Sequence, residues 1–186
     1  MSQPDQRTRG TQPEEDPARG PFERDVQWVA GIVGGLAGGV VMGLIMQFAM
    51  DVMALVGTVV GSESALAGWA GHLSVSALYG VIFAWTVSLP FIRDDFVSTL
   101  GGSVGAGVVY GGLLTVVSGG VVLTLIAEAL QLTNQPFPLI PLPGTAEGIW
   151  LAIWGGVAHV LYGLILGAVY AFWRGSGFEW PASAEH

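Results

Sequence analysis

Residues 65–90 have the sequence ALAGWAGHLSVSALYGVIFAWTVSLP and contain no charged side chain. One histidine, His72, lies well inside this segment. The segment exceeds the roughly 20 residues that a helix needs to cross about 30 Å of hydrocarbon. Since unpaired backbone groups are very costly in lipid, we expect such a run to be helical. The segment therefore predicts a transmembrane helix that carries one imidazole.

A second segment near the end of the chain has the same pattern. Residues 148–173, GIWLAIWGGVAHVLYGLILGAVYAFW, place His159 as His72 is placed in the first segment. When the histidines are aligned, Gly80 corresponds to Gly167, eight residues further on and so on the same helical face. The pattern predicts that one helical face occurs twice in the chain.

The chain as a whole is too apolar to close over a single water-facing core. Of its 186 residues, 52% are hydrophobic and 11% are charged, and the mean hydropathy is +0.61. This composition favours a membrane protein. Charged residues are absent from 26–50, 64–92, 96–127 and 148–173. The predicted fold is all-α, an integral membrane four-helix bundle with helices at about 28–51, 65–90, 98–130 and 148–173.

The first and third predicted helices also resemble each other. AGGVVMGLIM at 37–46 aligns with GAGVVYGGLL at 105–114. Together with the histidine helices, this predicts two helical hairpins in the same orientation, which is a parallel internal repeat. The 29 glycines permit close helix contacts in lipid. In the long third helix, we expect Ser118, Gly119 and Gly120 to cause a kink or a break.

The arginines predict the orientation of the bundle. The chain has no lysine, and its six arginines are Arg7, Arg9, Arg19, Arg24, Arg93 and Arg174. All six fall on one side of a four-helix topology, and such a bias marks the cytoplasmic side. We therefore expect a plasma-membrane protein with a disordered cytoplasmic tail at 1–25, a membrane domain at 26–174 and a short cytoplasmic tail at 175–186.

The outer connection at 131–145, QLTNQPFPLIPLPGT, contains four prolines and does not follow the repeat. Proline in these positions excludes a regular helix or a paired central strand. We expect this loop to form an apolar cap on the outer face, and its role stays open.

Several function classes are disfavoured by composition and by missing motifs. The chain has no cysteine, which excludes disulfides and thiolate chemistry, and its 14 acidic residues argue against nucleic acid as a partner. The sequence lacks a nucleotide-binding loop, a GxSxG elbow, an HExxH motif and a paired catalytic carboxylate. We therefore predict that the protein is not an enzyme.

His72 and His159 are the candidate cofactor-binding residues, because ionisable groups within a membrane are costly and mark functional sites. Two histidines from two helices are typical ligands of a b-type haem, which would make the protein an electron carrier. The alternative is that the imidazoles hydrogen-bond between helices and hold their register, with no cofactor bound.

Met42, Met46 and Met50 are the candidate metal-binding residues. They recur every four residues along the first predicted helix, at the level of the histidines. Thioether and imidazole ligands suit Cu(I), which favours a metal or small-solute transporter. The alternative is that methionine fills an irregular helix interface.

The sequence favours a small membrane scaffold or accessory subunit above these alternatives. Its partners would be the lipid bilayer and either a second copy of the chain or another membrane protein, bound through glycine-rich faces.

GSESALAGWAGHLSVSALYGVIFA at 61–84 and GLAGGVVMGLIMQ at 35–47 resemble small haloarchaeal four-helix membrane proteins of unknown function. The resemblance covers most of 31–173, and the acidic, lysine-free composition suits a halophile. The resemblance implies the four-helix fold but does not imply any particular activity. Members of such groups sometimes carry an automatic histidine-kinase label. We expect no kinase activity, because the dozen residues after the fourth helix are too few for a kinase domain.

Overall fold

The protein was analysed as a computed structural model, which describes residues 27–95, 97–122, 125, 129 and 146–175. The described chain contains helices and no strands, which confirms the predicted all-α class. In chain order these are α1 (Trp28–Phe48), α2 (Met53–Val59), α3 (Ala65–Val87), α4 (Pro90–Asp95), α5 (Leu100–Leu114), a π-helical segment (Thr115–Val122) and α6 (Ala146–Gly175). The predicted tail at 1–25, the proline-rich loop at 131–145 and residues 176–186 lie outside the described residues.

Four helical stretches of the described chain are long and apolar enough to cross a membrane. They are Trp28–Phe48, Ala65–Val87, Leu100–Val122 and Ile149–Gly175. The sequence predicted four such helices, and the described chain has them. Each stretch is close to or above the roughly 20 residues that the hydrocarbon thickness requires.

The first long helix ends at Phe48, three residues before the predicted end. Asp51 has a positive φ of 52°, a left-handed conformation that aspartate tolerates better than most residues. The carbonyls of Ile45 and Met46 accept hydrogen bonds from the amides of Met50 and Val52, which closes the last turn. The chain then enters α2, a short helix that the uncharged sequence did not reveal.

The second long helix ends at Val87 rather than at residue 90, and α4 begins at Pro90. Proline suits the first turn of a helix, where its missing N–H has no intrahelical partner. The third helix is regular from Leu100 to Leu114 and then becomes π-helical. The π-helical segment includes Ser118, Gly119 and Gly120, where the sequence predicted an interruption.

Helix α1 contacts two other long helices through glycines on two of its faces. A Cβ atom at Gly31 or Gly35 would collide with the backbone of α3 around Gly80. A Cβ at Gly34 or Gly38 would instead meet α6 at Leu166 or Tyr162. Glycine therefore lets α1 approach α3 and α6 at backbone distance, as small residues do between membrane helices.

Helix α5 contacts α6 in the same manner, on one face only. A Cβ at Gly107 would overlap the carbonyl of Gly163, and a Cβ at Gly111 would overlap the carbonyl of His159. Helices α3 and α5 make few backbone contacts with each other. Their backbones are therefore farther apart than those of the other packed pairs.

Aromatic side chains fill the space between α3, α5 and α6. The ring of Phe83 lies 5.3 Å from the ring of Tyr110 and 5.6 Å from the ring of Tyr170, measured between centroids. The Tyr110 hydroxyl donates a hydrogen bond of 2.8 Å to the carbonyl oxygen of Tyr79. Phe83 and Tyr170 are each 1% exposed, so the centre of the core is at this level.

Candidate functional site

A small cavity lies where α1, α3, α6 and the C-terminal end of α5 meet. Its volume is about 40 Å³. The side chains that line it are Met42, His72, Val75, Ser76, Tyr79, Leu114, Ser118, His159 and Tyr162. Both predicted cofactor-binding histidines and one predicted metal-binding methionine are therefore brought together around one space.

His72 projects from α3 towards α1 and is 8% exposed. Its Nε2 lies 2.9 Å from the carbonyl oxygen of Gly39 on α1. Since a carbonyl only accepts hydrogen bonds, Nε2 carries the proton and donates it. In this tautomer Nδ1 holds a lone pair, which makes Nδ1 the nitrogen available to a ligand.

Glycine in α1 makes the bond from His72 geometrically feasible. At Gly43, one turn after Gly39, a Cβ would lie 3.2 Å from Cδ2 of His72 and closer still to the ring of Trp69. The imidazole thus reaches a backbone carbonyl of the neighbouring helix, because that helix has no side chain in the way.

His159 lies on α6, is 9% exposed and uses the opposite ring nitrogen. Its Nδ1 lies 2.7 Å from the carbonyl oxygen of Gly155, one turn earlier in the same helix. The carbonyl accepts, so Nδ1 donates and the lone pair is on Nε2. Opposite His159 is Gly119 of the π-helical segment, where a Cβ would lie 3.8 Å from the imidazole Cε1.

The hydroxyl of Tyr162 fixes one wall of the cavity. It donates a hydrogen bond of 2.7 Å to the carbonyl oxygen of Ser76, and the pair joins α6 to α3. Tyr162 is 2% exposed, so this bond is shielded from solvent. The neighbouring walls are formed by Tyr79 and Ser118.

The three predicted metal-binding methionines do not share one location. Met42 lines the cavity, whereas Met46 and Met50 do not. Met46 lies one turn further along α1, about 6 Å along the helix axis at 1.5 Å per residue, and does not reach the cavity. Met50 lies beyond the end of α1, and its Cε is 4.0 Å from where a Cβ of Gly155 would be.

The cavity is small for the haem that two histidines suggested. Pockets for organic ligands of drug size have volumes of about 300–1,000 Å³, several times the 40 Å³ found between these helices. Haem would therefore require the helices to separate. We expect the purified protein from a haem-competent host to be colourless, and a Soret band that is lost in His72→Leu and His159→Leu would contradict this.

Among the residues that the structure describes, no three histidine, cysteine or acidic side chains are grouped to hold a metal ion. The described side chains that line the cavity offer imidazole, thioether and hydroxyl groups as ligands. Any ion bound there would depend on neutral ligands.

A larger surface cleft of about 530 Å³ lies at the end of the bundle where α5 begins and α6 ends. The side chains of Ser98, Thr99 and Arg174 contribute its polar groups. One guanidinium nitrogen of Arg174 donates a hydrogen bond of 2.9 Å to the carbonyl of Val97, while the Thr99 hydroxyl caps α5 by accepting from the amide of Gly102. The bond of Arg174 joins the end of α6 to the chain just before α5.

Sequence reasoning missed two parts of the site. The first is the carbonyl of Gly39, because the stripe of glycines predicted close packing without indicating which carbonyl a side chain would reach. The second is Ser118, which lines the cavity because the π-helical segment changes the direction of the following side chains. The sequence signal was the Ser-Gly-Gly run.

Comparison of the chain with protein-family models, with curated proteins and with solved structures finds no match. The resemblance to small haloarchaeal membrane proteins thus stays a prediction.

Proposed function

We propose that the protein is a small, non-enzymatic scaffold or accessory subunit of the cell membrane that self-associates through α5. The observation that carries this proposal is an exposed glycine face on α5, defined by Gly101, Gly105 and Gly112. Among the described residues, nothing lies within 4 Å of where a Cβ of these glycines would be. Contiguous small residues on a lipid-facing helix permit a second helix to approach at backbone distance.

The burial of the long helices supports this choice of face. Of an 18-residue apolar window in Trp28–Phe48, 39% is buried, whereas the corresponding share for Leu100–Val122 is 17%. Val109, which lies one turn after Gly105, is 65% exposed. Among the described residues, the apolar window of the helix that contains α5 has the smallest buried share of the four, and its exposed surface carries the glycines.

We further propose that the four helices form two repeated hairpins, α1 with α3 and α5 with α6. The supporting contacts occur at corresponding positions of the sequence alignment. Gly39 approaches Ser76 in the first pair, and Gly107 approaches Gly163 in the second. Each pair is antiparallel and close-packed, so each hairpin has the geometry of one repeat unit.

A membrane orientation with both termini in the cytoplasm is supported by the charges at the two ends of the bundle. The N-terminus of α1 lies beside the C-termini of α3 and α6, since Gly31 contacts Gly80 and Gly34 contacts Leu166. Arg93 and Arg174 occur at this end. Asp51 and Glu63 lie at the opposite end, between α1 and α3. Among the described residues, arginine occurs at one end of the bundle only, which matches the Lys/Arg bias of cytoplasmic loops.

Single cysteines test this orientation directly, because the natural chain has none. Ser98→Cys and Ser62→Cys introduce exposed thiols at the two ends of the bundle. In intact cells, we expect a membrane-impermeant maleimide to label Cys only at position 62, and to label both positions after the membrane is opened. Labelling of position 98 alone in intact cells would reverse the proposed orientation.

Disulfide trapping tests self-association. Val109→Cys places a thiol on the exposed glycine face of α5, and Leu78→Cys places a thiol on α3, where Leu78 is 56% exposed. After oxidation in native membranes, we expect a covalent dimer for the cysteine at 109 and little for the cysteine at 78. Adding Gly105→Leu to Val109→Cys should reduce the dimer several-fold, while adding Ala70→Leu on α3 should not.

Equal dimer yields from positions 109 and 78 would contradict a specific α5 contact. An exclusively monomeric protein in liposomes would contradict self-association altogether. Gly105→Leu should not disturb the fold of the single chain, because the described residues leave open space around Gly105. Retention time and helix content of that variant in detergent provide the control.

A further inference from the structure

We infer that the central cavity is a binding site for one soft, monovalent metal ion of the Cu(I) type. The three ligands would be Sδ of Met42, Nδ1 of His72 and Nε2 of His159. The inference goes beyond the proposed scaffold role, because it concerns the interior of one chain and does not depend on self-association.

The hydrogen bonds of the two imidazoles prepare them as ligands. Metal-binding histidines almost always donate their other ring N–H to a carbonyl, a carboxylate or water, which fixes the tautomer and the ring. His72 donates to the Gly39 carbonyl and His159 donates to the Gly155 carbonyl. Each ring therefore has one deprotonated nitrogen, and both rings line the same cavity.

The size of the cavity selects a single small occupant. Its volume of about 40 Å³ is close to the roughly 30 Å³ that one water molecule occupies in the liquid. A metal ion, or one water molecule, fits this space, whereas an organic cofactor does not. Met42, His72 and His159 come from three different helices and all line this space, so the proposed ion would bridge α1, α3 and α6.

The charge of the surroundings selects the class of ion. Among the described residues, no acidic side chain lines the cavity. A buried ion without anionic ligands is costly, and the cost rises with the square of its charge, so a monovalent ion is favoured over Zn²⁺. Thioether sulfur is a soft ligand that prefers Cu(I), and imidazole is a good second ligand for it. The sulfur of Met42 therefore makes the site prefer Cu(I) to Zn²⁺.

Met42 and Met46 provide a matched pair for the test. Both are partly buried on α1, one helical turn apart, and only Met42 lines the cavity. Replacement by leucine keeps nearly the same volume and removes the sulfur. His159→Leu removes one nitrogen ligand and breaks only a bond within α6.

The experiment uses the full chain in detergent, without oxygen, with Cu(I) supplied in competition with a chromogenic Cu(I) chelator. We expect one Cu(I) per wild-type chain and X-ray absorption that shows one sulfur and two nitrogen neighbours. Met42→Leu should lose the sulfur signal. Because removal of an outer partner of a metal ligand already weakens binding about 10–100-fold, removal of a ligand should weaken it at least tenfold. Met46→Leu should bind as the wild type does.

Zn²⁺ provides the comparison ion, and we expect the chain not to retain it after desalting. If the wild-type chain does not retain Cu(I) against the chelator, the proposed Cu(I) site is wrong, whatever the variants do. Retention of Cu(I) with equal affinity by Met42→Leu and His159→Leu would also overturn it, and would indicate binding elsewhere on the chain. Neither result affects the disulfide-trapping test of self-association.

Discussion

Helices α1 and α5 resemble each other in sequence and have different surroundings. α1 contacts α3 through one glycine face and α6 through another, whereas α5 contacts only α6 closely and leaves Gly101, Gly105 and Gly112 open to the described surroundings. Glycine alone does not determine whether a face is buried. Glycine permits close approach of two helices, and the other side chains of the helix determine which neighbour packs against that face. The α1–α6 contact is therefore part of the fold, and the open face of α5 is available to a second chain.

The two histidines differ in a related way. His72 donates to a carbonyl of another helix, while His159 donates to a carbonyl of its own helix. Membrane helices are already formed before they associate, so a bond within one helix persists when the helices separate. Only the bond of His72 is gained on assembly. The bond of His72 therefore contributes to the contact between α1 and α3, whereas the bond of His159 to Gly155 contributes nothing to the contact between α5 and α6.

The largest expected effect separates the two glycine faces of α5. Gly107→Ala places a methyl group against the carbonyl of Gly163, and neither backbone can move away without separating α5 from α6. Overpacking of this kind costs about 1–3 kcal/mol and sometimes more. We expect the melting temperature in detergent to fall clearly. Tryptophan fluorescence or the helical circular dichroism signal measures it.

Gly105→Ala is the matched control, two residues away on the same helix and facing open space among the described residues. Alanine also has the higher intrinsic helix preference, so this variant should be as stable as the wild type or slightly more stable. Equal melting temperatures for Gly105→Ala and Gly107→Ala would show that α5 does not pack on α6 through the Gly107 face.

A smaller effect separates the histidines. Leucine has a volume close to that of histidine and no ring nitrogen. His72→Leu and His159→Leu should therefore keep the packing close to that of the wild type. His72→Leu removes a bond between helices, and His159→Leu removes one within a helix. Hydrogen bonds between membrane helices contribute about 0.6 kcal/mol on average and about 1.7 at most. We expect His72→Leu to lower the free energy of unfolding by about 1 kcal/mol more than His159→Leu does.

Reversible unfolding in mixed micelles measures this difference. A larger loss for His159→Leu would mean that His159 makes a contact between helices that is stronger than its bond to Gly155. The comparison is made without added metal, because a bound ion would stabilise the wild type and enlarge both losses.

The sequence predicted the long helices well because the hydrocarbon thickness imposes a minimum length on any charge-free run. It did not predict the ends. Residues 49–59 are uncharged except for Asp51, so α2 could not be distinguished from a continuation of α1. Asp51, with its positive φ, follows the end of α1, and α2 packs beyond it with the Met53 carbonyl against Gly68. Such a tertiary contact is not visible in a local sequence pattern.

The site was predictable in part for a similar reason. Equal depth of His72 and His159 in two hairpins of the same orientation permits the histidines to face one another, and Met42 falls on the same level. Equal spacing also included Met46 and Met50, since a repeat of four residues indicates a shared helical face but not how far along that face a cavity extends. The tautomers of the histidines depend on the carbonyls of Gly39 and Gly155, and backbone acceptors leave no trace in a sequence.

The smallest expected effect concerns the two tyrosines that bridge to α3. Tyr162→Phe removes the bond from α6 to Ser76, and Tyr110→Phe removes the bond from α5 to Tyr79. Each loss should be below about 1 kcal/mol, because the acceptor carbonyls keep their partners within α3. Tyr162 is 2% exposed and Tyr110 is only partly buried, so the loss for Tyr162→Phe should be the larger. If Tyr110→Phe instead costs more, the wide contact between α3 and α5 depends on that hydroxyl, and the aromatic packing around Phe83 contributes less than its burial indicates.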